Sequence, residues 1–177
     1  RTKELPWLVE SGPLPKGATV LTDPAKPLID ASAREAISDT GELRRQWDKG
    51  LYTISTPRTQ AATGWLGGQS VVLPDIEVKV TTRNASVAVQ TLDGLPIAQS
   101  EKLLISLGAR AVPEAGNQTP FHIEPVEGRL AIHAKPGLHL FKKGILQQRK
   151  ELPIRYADGR YLIDLDASLQ TYWLTLE

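Results

Sequence analysis

Apolar residues recur at every second position over short runs along most of the chain, with Gly, Pro and Asx residues between the runs. A period of two marks half-buried β-strands. Ile76, Val78 and Val80 alternate with Glu77 and Lys79. Val87 and Val89 define the inward face of Ser86 to Leu92, and Leu130 and Ile132 that of Arg129 to His133. Tyr161, Ile163 and Leu165 share a face between Arg160 and Leu165. Lys102 to Leu107 predicts a strand with an apolar centre. In the last strand, Gln170 to Leu176, the pattern puts Tyr172, Leu174 and Leu176 on one side and Trp173 on the other.

Earlier in the chain, Leu43 to Trp47 and Leu51 to Thr56 predict a hairpin around Asp48-Lys49-Gly50. Its second arm places Tyr52 and Ile54 on one face and Thr53 and Ser55 on the other. Pro57 ends that arm, and Thr59 to Leu66 resumes as a strand. The small residues Ala61, Ala62 and Gly64 there predict close approach of another backbone. Val71 to Leu73 is a short strand before Pro74, and Arg83-Asn84 and Asp93-Gly94 are turns. Pro113 to Pro120 reads as a loop, followed by a short strand Phe121 to Ile123. Pro136-Gly137 and Gly144 read as turns. Leu152 to Tyr156 and Arg160 to Leu165 form a second predicted hairpin around Ala157-Asp158-Gly159.

Roughly ten strands with no βαβ alternation predict an all-β fold, an antiparallel β-sandwich of jelly-roll or immunoglobulin-like type. Residues 1–37 read differently. Pro6, Pro13, Pro15, Pro24 and Pro27 make a Pro-rich N-terminal lead-in that packs on the domain of residues 38–177. Within it, Gly17 to Thr22 predicts a strand. Asp30 to Ile37 predicts about two turns of helix, capped by Asp30 or Ser32. Trp7 is an anchor, either onto a neighbouring domain or onto its own.

Composition narrows the chemistry. There is no cysteine, so disulfides, thiolate metal sites and a thiol nucleophile are excluded. The 21 basic residues nearly balance the 20 acidic ones. No basic stripe suited to nucleic acid appears, and no apolar run reaches membrane-spanning length. A chain without methionine is expected to be a processed or excised piece.

No catalytic constellation is legible. Gly64 to Gly68 lacks the Lys and the following helix of a phosphate loop. His122, His133 and His139 show no metal-ligand spacing, and the last two fall on polar phases, which predicts exposure. Asp39, Glu42, Asp48, Glu124 and Glu127 lie in turns, where no two stand out as an acid–base pair. The expectation is therefore no cofactor, with Asp39, Glu42 and Asp48 as the candidate oxygen ligands should a structural Ca²⁺ be held. Asn84-Ala85-Ser86 and Asn117-Gln118-Thr119 match the short glycosylation pattern. The aromatics are more informative, because sugar rings stack on the faces of Trp and Tyr. Trp47, Tyr52 and Trp65 come from adjacent predicted strands, and Trp173 points off the core phase of its own. These four are the candidate carbohydrate-binding residues; the competing assignment for each is the core.

The order of motifs in residues 38–177 resembles the C-terminal β-sandwich accessory module of bacterial polysaccharide-degrading glycoside hydrolases. That module follows a (β/α)₈ catalytic barrel. The likeness is carried by Asp39-Thr40-Gly41-Glu42-Leu43, Ser55-Thr56-Pro57-Arg58-Thr59-Gln60 and Gly64-Trp65-Leu66-Gly67-Gly68. It continues through Leu92-Asp93-Gly94-Leu95-Pro96-Ile97, Lys102 to Ser106, Ala109-Arg110-Ala111, Glu124-Pro125-Val126 and the terminal strand. Pro113 to Thr119 departs from the family's pattern. The resemblance implies a non-catalytic module of a secreted, periplasmic or cell-surface bacterial enzyme. Its partners would be polysaccharide or oligosaccharide, and the catalytic barrel through the lead-in. No nucleic acid and no membrane span are expected. The alternatives are an immunoglobulin-like protein-interaction domain and a β-sandwich enzyme acting on polysaccharide.

Overall fold

The computed structural model describes residues 32–116, 118–143 and 149–177. Trp7, the strand expected at Gly17 to Thr22, Asn117 and the turn at Gly144 lie outside them.

Two antiparallel sheets and a ribbon account for the described strands. The larger sheet runs, neighbour to neighbour, β1 (Glu35–Ile37), β2 (Leu43–Gln46), β3 (Leu51–Ser55), β4 (Thr59–Gly64), β7 (Ala85–Thr91), β8 (Leu103–Gly108), β16 (Trp173–Leu176), β12 (Leu140–Lys143) and β13 (Arg149–Leu152). The smaller sheet runs β14 (Arg155–Ala157), β15 (Arg160–Leu165), β11 (Gly128–His133), β6 (Ile76–Val80) and β5 (Ser70–Val72). β9 (Ala111–Glu114) and β10 (Gln118–Ile123) pair only with each other.

The alternating pattern decides which faces meet. Val87, Val89, Leu103, Ile105, Leu174 and Leu176 line the inner face of the larger sheet. Ile76, Val78, Leu130, Ile132, Ile163 and Leu165 line that of the smaller one, and both sets belong to one buried cluster. Each fully buried aliphatic side chain contributes about 1.5–3 kcal/mol. The result is the all-β sandwich that the pattern predicts.

Most polar groups inside the sandwich are paired, as burial requires; among the described residues the buried Thr91 hydroxyl has no partner. Gln60 on β4 donates from Nε2 to Asp75 Oδ2 (2.8 Å) and accepts from the Asp75 amide (2.9 Å), linking the sheets. The buried Tyr161 hydroxyl accepts from Leu138 N (2.7 Å) and donates to Lys135 O (3.0 Å), which fixes the crossing from β11 to β12. Asp93 accepts from Ser100 Oγ and from the amides of Leu95 and Glu101, closing the loop around the 3-10 turn Ile97–Gln99.

Several expectations change. The end of the expected helix, Glu35–Ile37, is strand β1. It pairs with β2, and Arg44 binds Glu35, so a sheet edge outcompetes a two-turn helix. The compact unit accordingly begins at Arg34. Pro113 to Pro120 is not an open loop, because β9 and β10 fold it into a ribbon. The run Leu152 to Tyr156 breaks at Pro153: β13 joins the larger sheet and β14 the smaller. In β3 Tyr52 and Ile54 do share a face, as the alternation predicts; it is the outer one, and the buried face carries Leu51 and Thr53. Tyr172 stands 40% exposed, out of phase with Leu174 and Leu176. Sixteen strands are present among the described residues, many of them too short to stand out in the sequence.

Candidate functional site

An apolar groove opens at the end of the sandwich where β8 leaves for the ribbon and β16 begins. It encloses about 350 Å³, within the usual range of ligand pockets. Leu107, Val126 and Leu169 supply apolar walls, and Asp166, Gln170 and Lys143 bring polar groups to it. Tyr172 and Trp173 also line it. Their rings meet edge to face, with centroids 6.4 Å apart and planes at 78°. Trp173 is 53% exposed.

Local structure explains this display. Asp166 Oδ1 accepts from Ser168 N (2.7 Å) and caps the 3-10 turn Ala167–Leu169. Gln170 then adopts a left-handed conformation with φ 47°, turning the chain sharply. Thr171 Oγ1 accepts from Trp173 N (3.2 Å), and the Tyr172 carbonyl accepts from Leu107 N (2.8 Å). Pairing with β8 thus starts one residue before β16, and the aromatic pair is held at the sheet's end.

The other predicted aromatics gather at the same end of the larger sheet, but on different strands. Trp47 opens the turn Trp47–Gly50, closed by Gly50 N donating to Trp47 O (3.1 Å). Trp65 follows β4 and lies against Gly50, where an added Cβ would stand 1.9 Å from the indole Cδ1. Only glycine fits there, and its φ of 57° adds to the requirement. Trp47 and Trp65 are 40% and 48% exposed, and the guanidinium groups of Arg45 and Arg83 lie over their rings. Tyr52 is half-buried and lies opposite Arg45 in the register. Three strand spacings separate β4 from β16, about 14 Å. Trp173 therefore belongs to the groove, while Trp47, Tyr52 and Trp65 form a second cluster.

The acidic residues lining the groove are held ionised. The Arg110 guanidinium hydrogen-bonds Glu124 (2.8 Å) and keeps its carboxyl below the ordinary range. The hydrogen bonds from Ser168 do the same for Asp166. A general acid at neutral pH needs the opposite shift. The Ca²⁺ candidates do not converge. Asp39 and Glu42 precede β2 and Asp48 follows it, and Asp39 and Asp48 each accept the next residue's amide. Among the described residues no group of three His, Asp or Glu is arranged to hold a metal ion. His122, His133 and His139 pair separately with Glu114, Asp75 and Glu151, and the exposure expected of the last two is observed.

Sequence reasoning missed Tyr172, Arg45 and Arg83. For Tyr172 the signal was the Gln170-Thr171 step that breaks the alternation. For Arg45 it was its place two residues before Trp47, on the same side of the chain. Arg83 gave no signal, because it meets Trp65 only through the fold. In comparisons with known proteins, no family model, no curated protein and no solved structure matched the chain.

Proposed function

We propose that this chain is a non-catalytic β-sandwich module that binds oligosaccharide or polysaccharide in the Tyr172–Trp173 groove. It would serve as an accessory domain of an exported bacterial glycoside hydrolase. The observation that carries the reading is the exposed aromatic pair over an apolar floor, ringed by Asp166, Gln170 and Lys143. Aromatic faces suit the apolar faces of pyranose rings, and the polar groups suit their hydroxyls. Ionised, hydrogen-bonded Glu124 and Asp166 suit acceptors of sugar hydroxyls better than a proton donor. Membership in a hydrolase rests on the motif order of residues 38–177.

Isothermal titration of the chain against a panel of neutral oligosaccharides tests the reading. At least one sugar should bind, and Trp173→Ala should weaken it about tenfold, the loss of one good aromatic contact. No binding to any sugar, or unchanged binding by Trp173→Ala and Tyr172→Ala, sinks it. A second reading, docking onto a protein surface such as the catalytic barrel, is favoured by Val112 and Ile123. They stand 46% and 41% exposed on the ribbon.

A further inference from the structure

We propose that the Trp47–Gly50 turn and the Trp65–Gly68 loop, with Arg45 and Arg83, form a second binding site for a carboxylate-bearing polysaccharide, a polyuronate. The site goes beyond the groove and does not depend on it.

Both exposed indoles of this cluster carry a guanidinium. Arg45 Cζ lies 5.6 Å from the Trp47 ring centroid and Arg83 Cζ 4.9 Å from that of Trp65. Among the described residues Arg44, Arg110, Arg129, Arg149 and Arg160 pair with carboxylates; Arg45 and Arg83, like Arg34, Arg58 and Arg155, do not, and of these five only Arg45 and Arg83 lie over an exposed indole. A guanidinium held over an indole face and not paired with a carboxylate keeps N–H donors available. Such donors match a carboxylate with two parallel hydrogen bonds. The exposed parts of the indoles supply apolar area for the sugar ring that carries the acid.

The cluster is braced. Gln69 Nε2 donates to Lys49 O (3.2 Å) and to Trp65 O, and Trp65 N donates to Gly50 O (3.0 Å). Gly67 N donates to Arg83 O (3.2 Å), and Gly67 sits so close that an added Cβ would be 2.7 Å from Arg83 Cα. The two loops and the turn at Arg83 are thereby tied into one unit, which lowers the ordering cost of binding. Two cations held over indoles on a chain of net charge +1 suit spaced carboxylates on a sugar polymer. A nucleic-acid backbone calls for a continuous basic stripe.

Affinity electrophoresis and titration of the chain with polygalacturonate and with alginate test the site. Each is run beside its carboxyl-reduced counterpart and an oligo-dT strand. At least one polyuronate should bind, and its carboxyl-reduced form about tenfold more weakly or not at all, as expected for lost charge-assisted pairing. Arg45→Gln and Arg83→Gln should each weaken binding about fivefold, and Arg83→Lys should not restore it, since lysine lacks the fork. Arg129→Gln removes the same charge from the other sheet and should have no effect. Absence of binding, equal binding of the reduced polymers, tighter binding of oligo-dT, or an equal loss with Arg129→Gln overturns the proposal. Polyuronate binding in a chain that takes no neutral sugar keeps this site and sinks the groove.

Discussion

Gln60 shows how one residue joins the two sheets. It is 1% exposed, and both ends of its amide are used by Asp75. Asp75 in turn takes the His133 amide on its carbonyl (2.7 Å) and faces His133 Nδ1 at 3.3 Å. Gln60→Ala leaves the Asp75 amide unpaired and opens a void, so it should cost about 2–4 kcal/mol in urea unfolding. Gln60→Glu sets a carboxylate against Asp75 in a buried place. Its destabilisation should be greatest near neutral pH and partly relieved in acid, where one carboxyl takes a proton. A cost below about 0.5 kcal/mol for Gln60→Ala, the scale of an ordinary surface change, would show that the clamp does not hold the sheets. Gln60 was legible only as part of a motif, because a glutamine in a strand of small residues looks solvated until the second sheet covers it.

At the scale of elements, the segment from Trp47 to Gly68 shows what sequence can and cannot specify. The β2–β3 hairpin and β4 were readable, since period-two alternation and a Gly-bearing turn are local properties. Which face of β3 is buried was not readable. Leu51 and Thr53 turn inward because β4 and β7 continue the sheet beside them, and that pairing spans distant residues. The same applies to Pro153, where the chain leaves one sheet for the other, and to Tyr172, displaced by the turn at Gln170. Of the candidate aromatics, exposure of Trp173 followed from its phase. The arginines on Trp47 and Trp65 needed the fold. Gly50 gives the direct test. In Gly50→Val the new side chain meets Trp65 and the backbone keeps a left-handed φ, a conformation that costs roughly 1–2 kcal/mol for an L-residue. The expected result is a lowered melting temperature with a shifted Trp65 indole N–H resonance, assigned by its loss in Trp65→Phe. An unmoved resonance would mean that the ring does not rest on Gly50.

At the scale of the molecule, the carboxylates with resolved shifts among the described residues all move the same way. Arg44 lowers Glu35, Lys79 lowers Glu77, Arg110 lowers Glu124, and Ser168 lowers Asp166. At Asp93 desolvation acts upward, but the amides of Glu101 and Leu95 and the Ser100 hydroxyl outweigh it. A carboxyl lowered on folding binds fewer protons in the folded chain than in the unfolded one. Its contribution is therefore complete above the unfolded value, about 4 for a free carboxyl, and is lost as pH falls through the folded value. The melting temperature should be level between about pH 5 and 7 in this respect and fall steadily below about pH 4. The two kinds of partner separate under salt. Glu35, Glu77 and Glu124 rest on exposed ion pairs, which salt screens. Asp93 and Asp166 rest on amide and hydroxyl donors held in place by their own loops, so their share should persist in high salt. Thermal melts at pH 3 and pH 6, at low and high salt, should show a smaller acid drop at high salt. Asp93→Asn with Asp166→Asn should remove most of what remains. An acid drop that salt abolishes in the parent chain would assign the whole effect to the ion pairs. A melting temperature that rises on acidification would reverse the sign of the linkage for all five groups.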